Sequence, residues 1–529
     1  MRKIFLATFG GTPARGELCL YLNAAAGLYQ NCGGIQSYPI DKDVKSPNYI
    51  NTRNMYNQYQ SFHEIVKDTD MASVDIVRTE AMFEDMLREA DINSENESIR
   101  YLMSRDYGLN EQDQRLLNIC YTEEEQDKPM KGGYYGRANI GSVTGDILIH
   151  KGIYEKLNLC RDIGNALKAG TEVDVVVICS SFGGTGASLG INFGKYLKQE
   201  YGMEAGLRIH CIYIQPYFRF PDPDNDEWGM DYRDFYAKSA TVISILGYEK
   251  SFIKENENDE NAVFDRFYYL GQETLDQTTD KNSARSGQDN HIHLVDMLVS
   301  LAVQDILMDK EQTRPQLYGY QYANEGTNIL SWRNMPFGIG FKTKHVCMMR
   351  FCEFMLDCME PLFDDGYSDY EQEILIIWLY GSKSLFDRRA DINDSIKTQL
   401  HGDMQACFEF CRNYIKYWIE LEESTRFGNE QTNVTRFFNL SELKRILSSR
   451  ESGYADVRLN ANSLKLTETE AYDNYEKGNR CLNVYDRLCK DKRLKGIAKP
   501  GKDKHSVART LVRVIYEECA VENYKDQRE

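Results

Sequence analysis

The chain begins with an apolar run, KIFLAT at residues 3–8, that stops at Gly10-Gly11. The next segment, about 14–30, carries Leu18, Leu22 and Leu28 at helical spacing, and a short strand around 35–40 then ends at Asp41. From about 50 to 125 the pattern is polar and helical with few strand signals, as in an insertion or an elaborated surface layer. The turn KGGYYGR at 131–137 precedes a long helical pattern that reaches Lys168. The clearest element is VDVVVICSS at 173–181, a continuous β-branched run of the kind buried on both faces of a parallel sheet. LRIHCIYI at 207–214 and FYYL at 267–270 are further strands, and a helix is predicted from about 290 to 309. Strands and helices alternating at these lengths predict an α/β fold with a doubly wound, mostly parallel sheet over residues 1–310.

Past about residue 340 the texture changes. HVCMMRFCEFMLDCMEPLF, SIKTQLHGDMQACFEFCRNYIKYWIELEE and SVARTLVRVIYEECAV all repeat apolar positions at helical spacing, while EILIIWLYG at 373–381 fits either helix or strand. A mainly helical C-terminal domain is therefore expected over 311–529.

With 529 residues, 42% hydrophobic and 27% charged, the chain has enough apolar material for several globular units. No stretch approaches the ~20 apolar residues of a membrane span. The first run ends in a glycine turn and reads as a strand, not as a signal peptide. A formal charge of −18 argues against nucleic-acid or anionic-membrane binding, which reward clustered Lys and Arg. The fourteen cysteines include no C-x-x-C pair, so reduced, buried thiols in a cytoplasmic protein are expected, with no metal site among them. His291 and His293 would diverge on a helix and make a poor metal pair.

The glycine loop SSFGGTGAS, with Ser181, Gly183, Gly184, Thr185, Gly186, Ala187 and Ser188, lies between the most apolar strand and a helix. Glycine lets the backbone come close to a ligand. Successive amides in such a turn form a nest, and the helix start adds its positive end. Thr185 and Ser188 can contribute hydroxyl donors, so the segment can hold a phosphate without a lysine. The plain alternative is a strand–helix turn that uses glycine for tight packing.

This loop resembles the signature loop of the tubulin/FtsZ family, GGGTG followed by small residues, with Phe182 in place of one glycine. The order of the surrounding loops is similar as well. Gly10, Gly11 and Thr12 stand where the family makes its first phosphate contact, and Gly136, Arg137, Ala138 and Asn139 stand where a third loop approaches the terminal phosphate. IQPYFRFPDPD at 214–224 is similar to a proline–aromatic segment of the FtsZ branch. The resemblance covers roughly residues 1–310. It implies GTP or GDP as ligand, Mg²⁺ as its companion, and slow or assembly-dependent hydrolysis. It also implies Gln272 and Asn290 as base contacts. In YANEGTNILSWRNMPFG, where the family keeps Asn and Asp for the neighbouring subunit's nucleotide, Glu325 is the candidate catalytic acid. This segment shows no Asp in the family's pattern, and the tail reads helical where the family has a helix-flanked mixed sheet.

Asp222, with Asp224 and Asp226, could face ribose or Mg²⁺, or belong to a solvated acidic loop. Arg137 could clamp a terminal phosphate or lie at the surface. The partners expected are a guanine nucleotide and either a second copy or another protein met through the C-terminal domain. An alternative that keeps the fold is a non-polymerising, nucleotide-gated scaffold or regulatory protein, a defence module for instance. A Rossmann-type dinucleotide enzyme is the third reading, but Gly10, Gly11 and Gly16 do not match G-x-G-x-x-G.

Overall fold

The structure is a computed structural model that describes residues 2–29, 32–67, 74–82, 86–88, 90–92, 98–108, 110–130, 134, 137–219, 262–271, 276–277, 291–308, 332, 335–363, 394–424, 437–448, 488, 491–494 and 504–526. The three apolar runs of the sequence form its central strands. β1 is Lys3–Phe9, β5 is Val173–Ser180 and β6 is Leu207–Ile214. On one side of β1 lie β2 (Ile35–Asp41) and the short β3 (Ile76–Arg78), with β4 (Ala81–Met82) also beside β2. On the far side β8 (Arg266–Leu270) follows β6. The order is β3-β2-β1-β5-β6-β8 and every pairing is parallel. A separate short pair joins β7 (Phe218–Arg219) to β9 (Asp276–Gln277).

Side chains alternate along each strand, so the β-branched runs fill two cores at once. Ile4, Leu6, Val176, Ile178, Ile212 and Ile214 point to one face. Phe5, Ala7, Val175, Val177, Cys211 and Tyr213 point to the other. Each Val, Leu, Ile or Phe side chain among them contributes roughly 1.5–3 kcal/mol of burial. The first face is covered by α1 (Gly11–Ala25), α2 (Pro47–Val66) and α9 (Leu294–Met308). The second is covered by α6 (Ala138–His150), α7 (Asn158–Lys168) and α8 (Ile191–Tyr201). Between β4 and α6 come α3 (Ile99–Tyr107), α4 (Glu111–Cys120) and α5 (Glu123–Asp127). The polar window at 50–125 thus holds most of α2 and the edge strand β3 besides surface helices. Three residues of edge strand are too short to print an alternation in the sequence.

α1 is buried from Thr12 to Ala25 although it carries Arg15, Glu17 and Asn23. Each finds a partner. Glu17 accepts from Ser37 Oγ at 2.5 Å and pairs with Arg78 at 3.3 Å, and Asn23 donates to Ser300 Oγ at 2.6 Å. Gly16 lets α1 press on α9, since a Cβ there would stand 2.5 Å from Val299 Cγ1.

The described residues from 338 on form α10 (Gly338–Phe354), α11 (Asp394–Ser424), α12 (Leu440–Ser448) and α13 (Lys504–Asp526). α10 runs on through a π turn at Met355–Met359 into a 3₁₀ turn at Glu360–Phe363. Their apolar faces join the core beneath α1, α2 and α9, where Phe62 of α2 stacks on Phe410 of α11 at 4.5 Å. EILIIWLYG lies outside the described residues. No helix among those described is long and apolar enough to cross a membrane.

Candidate functional site

Because all strands run one way, β1, β2 and β5 end at the same edge, and the chain reverses its direction of winding between β1 and β5. Loops leaving the two strands then part to opposite faces and open a crevice, the usual ligand position in such sheets. At the end of β1, Gly10 adopts φ 95° and ψ 170°, a region that favours glycine, and its N–H donates to Ile40 O at 3.0 Å. α1 starts at the next residue with no side-chain cap.

The glycine loop meets this turn directly. After β5 the chain makes a π turn, Gly186–Gly190, that leads into α8. A Cβ on Gly186 would stand 2.8 Å from Ser180 N and 2.9 Å from Phe9 O, and one on Gly10 would stand 3.5 Å from Gly186 N. The third loop closes from the side. A Cβ on Gly184 would stand 2.5 Å from Tyr134 Cβ, and one on Gly141 would stand 2.8 Å from Gly184 O. Gly10, Gly11, Thr12, Arg137, Ala138 and the stretch from Ser181 to Ser188 thus belong to three loops that touch one another. The starts of α1 and α6 lack a side-chain cap. A helix cannot satisfy its own first amides, so these ends turn positive dipole toward the crevice.

The polar side chains around the loops divide into paired and unpaired. Thr185 Oγ1 donates to Asp41 Oδ1 at 3.4 Å across the crevice, and burial pushes the Asp41 carboxyl up to about 6. Lys42, 4% exposed, donates from Nζ to Met130 O and lies 5.2 Å from the centre of the Tyr134 ring. Arg137 pairs with Glu125 at 3.7 Å and Glu124 at 3.9 Å. Ser188 Oγ turns back onto Gly184 O, so the hydroxyl read from the sequence as a ligand donor serves the turn instead. Phe182 fills the place of the resemblance's glycine with a ring 5% exposed, packed edge-on to Tyr217.

Among the described residues, buried polar atoms near these strand ends without a hydrogen-bond partner include Asn48 Nδ2, Ser181 Oγ and Thr8 Oγ1. Asn48 is 2% exposed and comes from the first turn of α2. Its amide lies 3.7 Å from where a Gly11 Cβ would be, beside Asp41 Oδ2 at 3.8 Å from the same point. Buried polar atoms without partners are uncommon and destabilising, so such a group beside two glycine loops marks where a polar ligand would bond.

On the α1–α9 side Arg15 and Tyr217 close on Asp296, with Tyr217 Oη donating to Asp296 Oδ1 at 2.7 Å. Sequence reasoning missed Asn48, Lys42, Tyr134, Glu125 and this trio. Arg15 and Asp296 did leave a signal, each being a charged residue inside an otherwise apolar helical repeat. Gly136, Asp222, Gln272, Asn290 and Glu325 lie outside the described residues. Among the described residues no group of three or more His, Cys, Asp or Glu is placed to hold a metal. Comparison with models of known protein families, with characterised proteins and with solved structures found no match to this chain.

Proposed function

We propose that the chain binds GTP or GDP at the crevice between β1 and β5, in the manner of the tubulin/FtsZ-type proteins its loops resemble. One observation carries the phosphate part. The glycine loops after β1 and β5 meet the start of α6 at the point where the sheet reverses its winding, and α1 and α6 both start there without a side-chain cap. Such a surface favours an anion through backbone N–H groups and aligned dipoles, which suits a chain of net charge −18. Guanine as the base rests on the resemblance, through Gln272 and Asn290.

In this reading the loops at 10–12 and 183–187 hold the inner phosphates, and Arg137 approaches the terminal one. Asp41 and Thr185 would supply oxygen donors to Mg²⁺ beside phosphate oxygens, and burial holds the Asp41 carboxyl up at about 6. Mg²⁺ would neutralise phosphate charge there. Hydrolysis, slow or dependent on assembly, would draw its acid from Glu325 of a second copy.

Calorimetry with GDP, a non-hydrolysable GTP analogue, ATP and NAD tests the proposal. Guanine nucleotides are expected to bind and NAD is not; binding of NAD alone would replace this reading with the dinucleotide one. Chromatographic assay of GTP turnover across protein concentrations then separates binding from catalysis. A nucleotide-gated scaffold that does not polymerise is the second reading, favoured by the helices α11 and α13 packed against α2. It requires a small defined oligomer in light scattering and no filaments in negative stain with GTP.

A further inference from the structure

α5 is a helix of five residues, yet its Glu125 faces three partners at once. Its Oε2 accepts from Thr122 N at 3.1 Å and Thr122 Oγ1 at 3.3 Å, closing a capping box. Its Oε1 accepts from Asn139 Nδ2 at 3.4 Å and lies 3.7 Å from Arg137 Nη1. Tyr121, between α4 and α5, donates to Asn139 O at 3.3 Å. The surface helices after β4 are therefore fastened to the first turn of α6, at the residue that caps the third loop. Glu125 and Arg137 are each little exposed, 12% and 13%, so their attraction is weakly screened. The second acid on Arg137, Glu124, is 75% exposed and counts for less.

We propose that Glu125 sets the preference between diphosphate and triphosphate by holding Arg137, and so couples α4 and α5 to the nucleotide's state. This rests on the nucleotide reading of the same crevice. A terminal phosphate beside the α6 start offers Arg137 more charge and a two-pronged partner, whereas a diphosphate ends short of it. Arg137 then leaves Glu125, whose enclosed carboxylate loses that cation while Thr122 and Asn139 still donate to it. A carboxylate deprived of its cation draws toward water, which loosens the fastening of α4 and α5. α4 carries the exposed side chains Leu116 and Ile119, 60% and 81%, so the change is delivered to a surface with apolar groups on display.

Glu125→Gln isolates the charge, because glutamine at this position also completes a capping box and leaves α5 folded. Binding of GDP and of a non-hydrolysable GTP analogue is measured on the full chain, with hydrogen exchange over residues 111–127. In the wild type the analogue raises exchange in this window and GDP does not. Glu125→Gln is expected to bind the analogue about tenfold tighter relative to GDP, with exchange in the window no longer differing between the two states. Arg137→Lys, which keeps the charge and loses the fork, is expected to reduce the preference for the analogue. If the wild type binds both nucleotides and neither variant changes their ratio, Glu125 has no such role and the nucleotide site stands. If the wild type binds neither, both readings fall together.

Discussion

Arg15 and Asp296 form an ion pair with Nε 3.1 Å from Oδ2 in which the two side chains are 3% and 0% exposed. Tyr217 bridges them, accepting from the guanidinium and donating to the carboxylate, and His293 N donates to the same carboxylate at 3.0 Å. Burial lowers the Arg15 pKa, and Asp296 with Tyr217 reverses that and raises it, so the guanidinium stays charged. A buried pair need not stabilise relative to an apolar pair, but half of one is costly. Arg15→Met or Asp296→Leu alone is expected to lose about 3–5 kcal/mol in urea unfolding, and the double variant less than the sum. Strict additivity would show that the two residues do not act as a pair.

The contact of α1 with α9 depends on one missing methyl group. A Cβ on Gly16 would stand 2.5 Å from Val299 Cγ1 and 2.7 Å from its Cβ. Alanine normally favours a helix over glycine, yet here it overfills the interface. Gly16→Ala should destabilise by about 1–3 kcal/mol, and Val299→Ala should restore part of that in the double variant. Thermal melts of the three proteins decide it; a Gly16→Ala protein more stable than wild type would mean the helices can part freely.

Asp41 gives the chain a pH dependence of definite sign. Its carboxyl is lifted from 3.8 to about 6 by burial, so between these values the folded chain holds a proton the unfolded chain has released. Stability from this group is therefore greatest at low pH and declines as pH rises through 6, by about 3 kcal/mol at most. Asp41→Asn should flatten that part of the profile and melt higher than wild type at pH 8. Added Mg²⁺ with GDP should shrink the difference, since a cation offsets the ionised carboxylate. Asparagine melting lower than wild type at pH 8 would reverse the sign and the argument with it.

The parts of the fold that the sequence displayed are those with one repeating physical demand. Val175–Cys179 had to be apolar at every position because both sheet faces cover it, and the loop after it had to be glycine at Gly186 because Ser180 N and Phe9 O leave no room for a Cβ. Those two facts located β5 and the loop that follows it. β3 was illegible because an edge strand of three residues makes no pattern. Asn48 was illegible for another reason. An asparagine two positions after a capping serine and one after a proline looks like ordinary helix-start chemistry, and only the fold brings it beside Gly11. The pairing of Glu125 with Arg137 was hidden likewise, since nothing local distinguishes a glutamate that closes a capping box from one that also holds a neighbour's cation.

Asn48 separates a ligand role from a structural one. Its Nδ2 is buried with no hydrogen-bond partner, so in the free protein the group contributes a desolvation cost and no compensating bond. Replacing it by leucine removes the unmet donor and keeps the bulk. Stability should then stay level or rise, by up to about 1 kcal/mol, while binding of GDP weakens about tenfold through loss of one charge-assisted bond to phosphate. Asn48→Asp should weaken binding further, because it sets a second carboxylate beside Asp41 where the anion sits. Calorimetric titration and urea unfolding of the same preparations give both quantities. A leucine variant that binds GDP as well as wild type would take Asn48 out of the site, and one that unfolds readily would make it a packing residue.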